Sequence, residues 1–588
     1  MTDTPLSRYA DACNLGKSLS MLSDASPALV ENLAYPMYTL PMDTLLRMTA
    51  VRPHEELLNQ GSLVEFEEVL GRAMFISHQW LANEHPDPEA QQWKVLQEAI
   101  RNLYSGRSLV TLPIQSEYFY GRHSTLSRED FQSKPLFIWY DYVSCPQAAD
   151  SRGQEHQKQA IDSIVSYIER CVYFVVLCPN LPHKDQGFVL SEATWAERGW
   201  CRAERLARKL AAREDGCILV VESAMRQTLA LHTARPIDAP GLGKFSVESD
   251  RSRIGRVILQ MVWKKLLYFL EQGDLHNYRF LLNQQAAFFF ANTDIDPIDA
   301  LVPYFQSQAD PFTAPLDVAV EWFLHQNGFQ EPVSRDPAGW TPLCYAVMAG
   351  SPSLISALLE RKADCNDRIS KHKKDFMFPK GMSVLALAAY FHNTGALQVL
   401  LAARASLHAC DSHRQTPLHW ACISDNDTAV RELGEARADL GQHSFPGVDP
   451  LHLACAFGSV GAMTEIFGRH QRVCLQNSLH FALSNEGGSA LVISTLIQAR
   501  ADVNDKFHTI NGLWRFIIFR QGLRHKFSPS LLTTLSPPYL HFNRGWRLRI
   551  RIGGLRLKAY RVYVGLATFS FPKGSGEYCR CPRLFVYV

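Results

Sequence analysis

Side chains that could bind a ligand follow several short apolar segments in the first half of the chain. The segment 73–76 runs directly into Ser77 and His78, and the segment 136–140 runs into Asp141. Grouped carboxylate, imidazole and indole side chains could bind a small polar ligand, and backbone donors at strand-to-helix turns suit phosphate groups. The candidate ligand-contacting residues are Ser77, His78, Trp80, Asp141, Trp200 and Glu204.

Two other kinds of site are not indicated by the sequence. Cys145 and Cys201 have no neighbouring His that could act as the base for a cysteine nucleophile. His and Cys occur at helical ligand spacing at 419/422 and 452/455, but both pairs fall at one position of a repeat. We therefore expect no metal site and no required cofactor.

The elements that would position the candidate residues alternate between strands and helices. Continuous apolar segments at 73–76, 136–140, 172–177 and 217–221 predict strands, and amphipathic segments between them predict helices. This alternation is typical of a parallel sheet covered on both faces. Because ligands of such sheets bind beyond the carboxyl ends of the strands, we expect the candidate residues to meet at that edge.

Short pieces of residues 71–225 resemble the Toll/interleukin-1 receptor (TIR) domain family and the related domain of fungal heterokaryon-incompatibility proteins. The pieces are Phe75-Ile76-Ser77-His78, Asp141, Val175-Val176-Leu177, and Trp200-Cys201 followed by Glu204. The resemblance implies a flavodoxin-like α/β domain. The segments 105–133 and 179–200 are longer than is usual for the family. The resemblance therefore does not predict the conformation of the loops around a pocket.

The resemblance implies two alternative functions for this region. Some TIR domains hydrolyse the nicotinamide–ribose bond of NAD with the glutamate that Glu204 matches, so NAD is a candidate substrate. Other members only self-associate and recruit partners, and a fold alone does not decide between these functions. Structural roles also compete: Glu204 could pair with Arg208 on a helix surface, Trp200 could belong to the core, and His78 could cap a strand.

A period of 33 residues organises the second half of the chain. Thr416-Pro417-Leu418-His419 is followed at that interval by Asp449-Pro450-Leu451-His452, and related segments begin at Thr341, Ser383 and Asn477. These residues resemble the ankyrin repeat, whose Thr-Pro-Leu-His-x-Ala motif is nearly literal at 416–421. We predict four or five units forming an all-α solenoid over residues 337–505.

The repeat motif also predicts local structure and a binding surface. Thr or Asp should cap the first helix of a unit, with Pro at the next position. Lys362, Arg404, Arg437 and Arg500 each end a second helix, where we interpret them as cations at the negative end of the helix dipole. Ankyrin arrays bind proteins through their turn tips and inner helices. The candidate partner-binding residues are Asp411, His413, Arg414, His443 and Phe445.

The bulk properties favour an intracellular chain with an unusual end. Fourteen cysteines without a spacing framework are typical of reduced thiols, and no apolar run is long enough for a membrane helix. From Trp514 onwards there are 14 Lys and Arg against one acid, Glu577. Residues 546–558 alternate as in a β-hairpin, so this basic tail either contacts nucleic acid or an acidic membrane, or is not a native segment.

Together these features predict a multidomain protein. The expected parts are a helical extension (1–70), a TIR-like domain (71–225), a helical linker region (226–336), ankyrin repeats (337–505) and the basic tail (506–588). We expect a cytoplasmic interaction or signalling scaffold that binds a protein through the repeats and self-associates through the TIR-like domain. The alternative is an NAD-hydrolysing enzyme with Glu204 as the catalytic carboxylate. We do not expect nucleic-acid binding except through the tail.

Overall fold

Short apolar segments that are buried form the central strands of the protein. The computed structural model describes residues 3–14, 33–108, 110–112, 125–213, 215–230, 235–445, 447–469, 473–484 and 490–506. The chain divides into two compact units, Met1–Lys380 and Gly381–Val588. The strands are β1 (Tyr38–Pro41), β2 (Val64–Glu65), β3 (Arg72–His78), β4 (Val110–Thr111), β5 (Thr125–Leu126), β6 (Leu136–Tyr140), β7 (Tyr173–Leu177), β8 (Leu181–Pro182), β9 (Val189–Leu190), β10 (Cys217–Ser223) and β11 (Arg226–Ala230).

Helices cover this sheet and continue beyond it within the first unit. They are α1 (Pro5–Asn14), α2 (Met42–Arg47), α3 (His54–Asn59), α4 (Gln91–Ser105), α5 (Arg128–Gln132), α6 (Asp141–Ser144), α7 (Ser151–Asp162), α8 (Ile164–Arg170), α9 (Glu192–Ala196), α10 (Gly199–Leu210), α11 (Asp250–Glu271), α12 (Leu275–Phe288), α13 (Pro315–Asn327), α14 (Pro342–Ala349) and α15 (Pro352–Glu360).

The main sheet is mixed. In the described part of the chain, seven strands lie in the order β11-β10-β7-β3-β6-β1-β2. The central strands β10, β7, β3 and β6 are parallel, as their apolar sequences predicted. The prediction of a wholly parallel sheet was wrong at the edges, because β11 pairs with β10, and β1 with β6 and β2, in antiparallel fashion.

Aromatic rings on neighbouring strands pack along the centre of this sheet. Phe75 on β3 stacks on Trp139 of β6, with ring centroids 4.3 Å apart, and on Phe174 of β7, at 5.5 Å. All three side chains are buried. Cross-strand aromatic contacts of this kind add to the free energy gained from burying apolar area, so the ladder helps fix the register of β6, β3 and β7.

Two regions outside residues 71–225 belong to the same unit. The region 1–70, expected to be a helical extension, contributes β1 and β2 to the sheet edge, which corrects that expectation. Its strands are only four and two residues long, too short to show a period in the sequence. The region 226–336, predicted to be a helical linker, begins with β11, which extends the sheet, and then contains α11, α12 and α13.

Helix α10 packs closely against the segment that follows the sheet. A Cβ on Gly199 would lie 2.0 Å from Cζ of Phe245, and a Cβ on Gly243 would lie 2.5 Å from the Cα of Gly199. Both positions therefore lack room for a side chain. The buried face of the helix consists of Cys201, Leu206, Ala207, Arg208 and Leu210.

Paired short helices make up the described part of the second unit. They are α16 (Val384–Tyr390), α17 (Thr394–Ala402), α18 (Pro417–Ser424), α19 (Asp427–Glu435), α20 (Pro450–Phe457), α21 (Val460–Arg469), α22 (Ser478–Ser484) and α23 (Ala490–Gln498). The second helix of each pair carries an apolar residue at the equivalent repeat position, and this residue is buried in the pairs above and in α14/α15 of the first unit. These residues are Leu358, Leu400, Leu433, Ile466 and Leu496.

The predicted helix caps are present at several repeats. The Ser383 hydroxyl accepts a hydrogen bond from the Ala386 N–H at 3.1 Å, and the Asp449 carboxylate accepts one from the His452 N–H at 2.8 Å. At Thr416 the backbone N–H donates instead to Nδ1 of His419, 3.1 Å away. The first turn of these helices therefore has partners for polar groups that would otherwise be unsatisfied.

The basic residues that end the second helices have a conformation that the sequence did not reveal. Lys362, Arg404, Arg437 and Arg500 all have positive φ angles, between 62° and 69°. Glycine usually occupies this left-handed position at a helix end. At Lys362, the N–H of the next residue, Ala363, donates to the carbonyl of Leu358, which closes the helix. These residues terminate helices through their backbone geometry as well as through their charge.

Three expectations concern residues 507–588, which lie outside the described residues. They are the basic tail, its β-hairpin at 546–558, and its contacts with nucleic acid or membrane. Within the described residues, no helix combines the length and the apolar character needed to cross a bilayer.

Candidate functional site

The carboxyl end of β3 holds a serine between an acid and an indole. Ser77 is buried, and its hydroxyl donates a hydrogen bond to Oε2 of Glu204 at 2.5 Å. Nε1 of Trp195, on α9, donates to the same Ser77 oxygen at 2.9 Å. The strand therefore supplies the serine, and the first turns of α10 supply the carboxylate that the Trp-Cys-x-x-Glu pattern placed there.

The environment of Glu204 favours its neutral form. Withdrawal of the carboxyl group from water raises its pKa from 4.5 to about 7, and the negative charge of Asp141 adds to this effect. The hydrogen bond from Ser77 and the positive charges of His78 and Arg198 act in the opposite direction. A carboxyl group with a pKa near neutrality can exchange a proton under physiological conditions, which is a common property of catalytic acids and bases.

His78 and Asp141 form an ion pair beside this carboxyl group. Nε2 of His78 lies 2.8 Å from Oδ1 of Asp141, and Nε1 of Trp80 donates to Oδ2 of Asp141 at 3.1 Å. The His78 ring also stacks on Tyr140, with centroids 4.1 Å apart. The His78 side chain is 1% exposed, whereas that of Asp141 is 40% exposed. Asp141 is therefore the member of the pair that a ligand can reach.

The pKa values of this pair are shifted in the directions that stabilise it. Burial opposes protonation of His78, but Asp141 holds the histidine pKa above its ordinary value. Burial would likewise raise the pKa of Asp141, but the charge of His78 and the hydrogen bonds from His78 and Trp80 hold it below its ordinary value. Each member of the pair therefore favours the charged form of the other.

Five of the six candidate residues lie together, and the sixth faces another partner. Ser77, His78, Trp80, Asp141 and Glu204 are joined by the contacts above. The indole Nε1 of Trp200 donates to Asp250 Oδ2 at 2.8 Å, at the first residue of α11.

The structure adds residues that sequence analysis did not single out. Besides Trp195, Thr194 donates from its hydroxyl to Oε1 of Gln79 at 2.8 Å. Both residues lie in the segment 179–200, which was interpreted only as a long connection. Because that segment has neither a period nor a motif, the sequence contained no signal for them.

The structural alternative for Glu204 does not describe its observed contacts. The guanidinium of Arg208 donates to the backbone carbonyls of Ile168 and Cys171, whereas Glu204 bonds to Ser77. The surface pair between Glu204 and Arg208 is therefore not formed. Burial raises the pKa of the Cys145 and Cys201 thiols well above the ordinary value, which disfavours the reactive thiolate.

The turn tips of the second unit present a mixture of buried and exposed residues. Asp411 is buried: its carboxylate accepts hydrogen bonds from the N–H groups of His413 and Gln415 and from the indole of Trp420. It therefore shapes the turn and does not offer a contact surface. His413 is half-buried, and its carbonyl accepts a hydrogen bond from the N–H of Phe445 at 2.6 Å.

The accessible candidate residues at these tips are Arg414, His443 and Phe445. Arg414 and His443 are exposed, and Phe445 leaves 62% of its surface in contact with solvent. A large exposed aromatic side chain beside two basic or ionisable ones is a common composition for the centre of a protein-binding surface.

The histidines of the repeat motif connect consecutive repeats. Nε2 of His419 lies 3.3 Å from the carbonyl oxygen of Val448, and Nε2 of His452 lies 2.7 Å from that of Gln476. Burial lowers the pKa of His419 to about 4, so this imidazole is neutral at physiological pH. Both histidines therefore have structural partners in the following turn.

Comparison with known families identifies the repeats. Residues 338–370 match the model for the ankyrin repeat, and residues 367–444 match the model for three copies of ankyrin repeats. Together with the helix pairs, these matches show that the region 338–444 consists of ankyrin repeats, as predicted.

Curated proteins with similar sequences cover only part of the chain. The palmitoyltransferase AKR1 of Lachancea kluyveri is 26% identical over 211 residues, which is 34% of this chain and 27% of that protein. The tyrosine-protein kinase Shark of Drosophila melanogaster is 26% identical over 231 residues, 38% of this chain and 22% of that protein. NF-kappa-B inhibitor alpha of Sus scrofa is 36% identical over 102 residues, 16% of this chain and 32% of that protein. The chain thus spans about a third or less of each relative.

The raised pKa of Glu204 predicts a pH-dependent effect of Glu204→Gln on stability. Between pH 4.5 and about 7, the unfolded carboxyl releases its proton before the folded one does, so the wild-type chain loses stability as pH rises. Glutamine keeps an acceptor for Ser77 but cannot ionise. The variant should therefore gain on the order of 2 to 3 kcal/mol relative to wild type between pH 5 and pH 8.

Urea unfolding of the wild type and of Glu204→Gln at pH 5 and at pH 8 measures this difference in the free energy of unfolding. The exposed Glu98→Gln on α4 is the matched control, for which no such gain is expected. An equal stability difference for Glu204→Gln at both pH values would contradict the described environment of this carboxyl.

Proposed function

We propose that the protein is an interaction and signalling scaffold whose ankyrin repeats bind a protein partner through the tips around Arg414, His443 and Phe445. The observation that carries this proposal is the place of Phe445, an exposed aromatic side chain at a turn tip of the ankyrin array, where Arg414 and His443 are exposed as well. The relative named NF-kappa-B inhibitor alpha supports the choice of a protein as the partner, since its name describes action on another protein.

The sheet topology supports a flavodoxin-like, TIR-like interpretation of the α/β region. In chain order the four parallel strands are β3, β6, β7 and β10. Across the sheet from β6 to β10 they therefore lie in the order 2-1-3-4. A flavodoxin-like sheet has the order 2-1-3-4-5, with its ligand beyond the carboxyl ends of the strands. Here the antiparallel β11 occupies the fifth place. We propose that this region provides signalling or self-association, in the manner of the TIR family it resembles.

The double substitution His443→Ala and Phe445→Ala tests the partner surface. Loss of a central aromatic contact should weaken partner binding by about 2 kcal/mol or more, while thermal stability stays nearly unchanged because both side chains are exposed. Ser444 is retained because its side chain is buried. The measurement is affinity capture on the tagged full chain, followed by quantitative mass spectrometry.

Leu491→Ala is the matched control for this experiment. Leu491 is 60% exposed and lies on α23, so its substitution also removes exposed apolar area, but away from the tips. Proteins retained by wild type and by Leu491→Ala but lost by the double variant are the predicted partners. Identical sets for all three chains would show that the tips do not bind them.

A second candidate function, hydrolysis of NAD, is favoured by the contacts of Glu204. Cleavage of the nicotinamide–ribose bond leaves an oxocarbenium-like ribose, which a nearby carboxylate stabilises while water attacks. Glu204 would supply that carboxylate, positioned by Ser77, and Trp80 would offer a ring beside the exposed Asp141. The products would be nicotinamide, ADP-ribose and a proton.

Release of nicotinamide by the full chain tests this second function. Glu204→Gln should abolish turnover, and wild-type turnover should rise with pH through about 7, because only the ionised carboxylate stabilises positive charge. The assay is run on dilute and on concentrated protein, so that activity dependent on self-association is detected. Absence of nicotinamide release at every protein concentration would refute NAD hydrolysis and leave the scaffold as the one proposed function.

A further inference from the structure

A short helix that precedes α10 is attached to the strand end that carries the candidate site. Helix α9 lies in the segment 179–200, which is longer than is usual for the TIR family. The indole of Trp195 donates to Oγ of Ser77 at 2.9 Å, and the hydroxyl of Thr194 donates to Oε1 of Gln79 at 2.8 Å. Two neighbouring residues of α9 therefore bond to two neighbouring positions at the end of β3.

Burial and the cap of α9 fix the position of Trp195. Trp195 is 2% exposed, and its backbone N–H donates to the carbonyl of Ser191 at 3.0 Å. The backbone N–H of Ser191 donates in turn to the hydroxyl oxygen of Thr194 at 2.9 Å. Because a buried side chain has little freedom to change rotamer, the indole presents its N–H to Ser77 as a fixed donor.

The hydroxyl of Ser77 carries one proton, and its neighbours decide where that proton points. An indole N–H can only donate, so Trp195 occupies a lone pair of Oγ and the hydroxyl proton must point elsewhere. Two acceptors lie beside the hydroxyl: Oε2 of Glu204, at 2.5 Å, and the sulfur of Cys201. A carboxylate is a much stronger acceptor than a thiol. The proton is therefore directed to Glu204.

The bond from Trp195 also strengthens the bond that Ser77 donates. Hydrogen bonds in a chain polarise one another, which strengthens each by roughly 10 to 30%. A hydrogen bond donated to a carboxylate favours its charged form, and the bond from Ser77 lowers the pKa of Glu204 against the larger effect of burial. Loss of the indole N–H should therefore make Glu204 harder to ionise.

The charged and titratable groups around Glu204 come from several elements. They are His78 at the end of β3, Asp141 in α6, Cys145 directly after α6, Arg198 directly before α10, Cys201 in α10 and Arg253 in α11. Trp195 carries no charge, so its substitution leaves these groups in place. A change in the titration of Glu204 then reports on the hydrogen bond through Ser77.

We propose that Trp195 is a positioning residue that directs the Ser77 hydroxyl to Glu204, so that helix α9 sets how readily this carboxyl releases its proton. The Trp-Cys-x-x-Glu pattern that resembles the TIR family does not include Trp195. The proposal deepens the second candidate function, and its catalytic consequence rests on that function, because only the ionised Glu204 would stabilise positive charge on the ribose.

Nuclear magnetic resonance of the full chain labelled with [5-13C]glutamate measures the titration midpoint of Glu204 in Trp195→Phe, in Ser77→Ala and in the double variant. Trp195→Phe should raise the midpoint by about half a pH unit, since it weakens a hydrogen bond to a charged group. Ser77→Ala should raise it by at least as much. The double variant should match Ser77→Ala, because Trp195 acts through the hydroxyl.

Trp420→Phe is the matched control for these substitutions. Trp420 is likewise 2% exposed, and its indole also donates to a carboxylate, Oδ2 of Asp411, at 2.9 Å, but it belongs to the second unit. The Glu204 midpoint in this variant should equal that of wild type. Replacement of Trp195 by 3-benzothienylalanine substitutes sulfur for the N–H at nearly the volume of indole, and it decides the outcome if Trp195→Phe does not fold.

Two results would overturn the positioning role. One is an unchanged Glu204 midpoint in folded Trp195→Phe or in the benzothienyl variant. The other is a double variant whose shift is the sum of the single shifts, because Trp195 would then act by excluding water and not through Ser77.

Nicotinamide release gives a separate measurement. Its pH profile in Trp195→Phe should move upwards with the Glu204 midpoint. Absence of release by the wild-type chain would refute NAD hydrolysis, and the midpoints would still decide the role of Trp195.

Discussion

Helix α10 buries charged groups, and removing a charged group from water costs free energy unless it finds polar partners. The elements packed against α10 must therefore supply those partners. At the first turns of this helix, Glu204 is accommodated by the hydroxyl of Ser77, which Trp195 holds in turn. At the last turn, the guanidinium of Arg208 is buried and donates to the backbone carbonyls of Ile168 and Cys171. An amphipathic helix normally turns such groups to solvent. This one carries them inward at both ends, and at its start it positions the candidate site at the carboxyl end of β3.

In the repeats, polar residues of the motif stabilise the contacts between neighbouring turns. His419 and His452 bind backbone carbonyls of the following turn, and Asp411 fixes the turn in which it lies. Residue types that resemble metal ligands or contact residues in the sequence thus have structural roles. What remains available for a partner is the set of side chains that the repeat does not need, of which Phe445 has the largest exposed apolar surface among the candidates. The exposed candidate residues of this array therefore lie outside the repeat motif.

Much of this arrangement was predictable from sequence, for reasons that particular residues make clear. The central strands were predictable because they are buried on both faces and therefore continuously apolar, and the ankyrin repeats because the motif at Thr416 recurs. The edge strands were not, since β1 and β2 are short and pair at the margin of the sheet. Glu204 was found through a motif, whereas Trp195 lies in a segment without one. The left-handed conformation of Lys362 could not be foreseen, because glycine is the usual residue at such positions.

The central claim is that α10 holds the carboxyl of Glu204 away from water, beside Ser77. Nuclear magnetic resonance of the full chain labelled with [5-13C]glutamate follows this carboxyl directly, with Glu204→Gln identifying its signal. The described environment predicts a titration midpoint near pH 7, which the Ser77→Ala variant should raise further because the hydroxyl lowers the pKa. A midpoint near 4.5, the ordinary value for a glutamate in water, would show that the helix does not hold Glu204 as described.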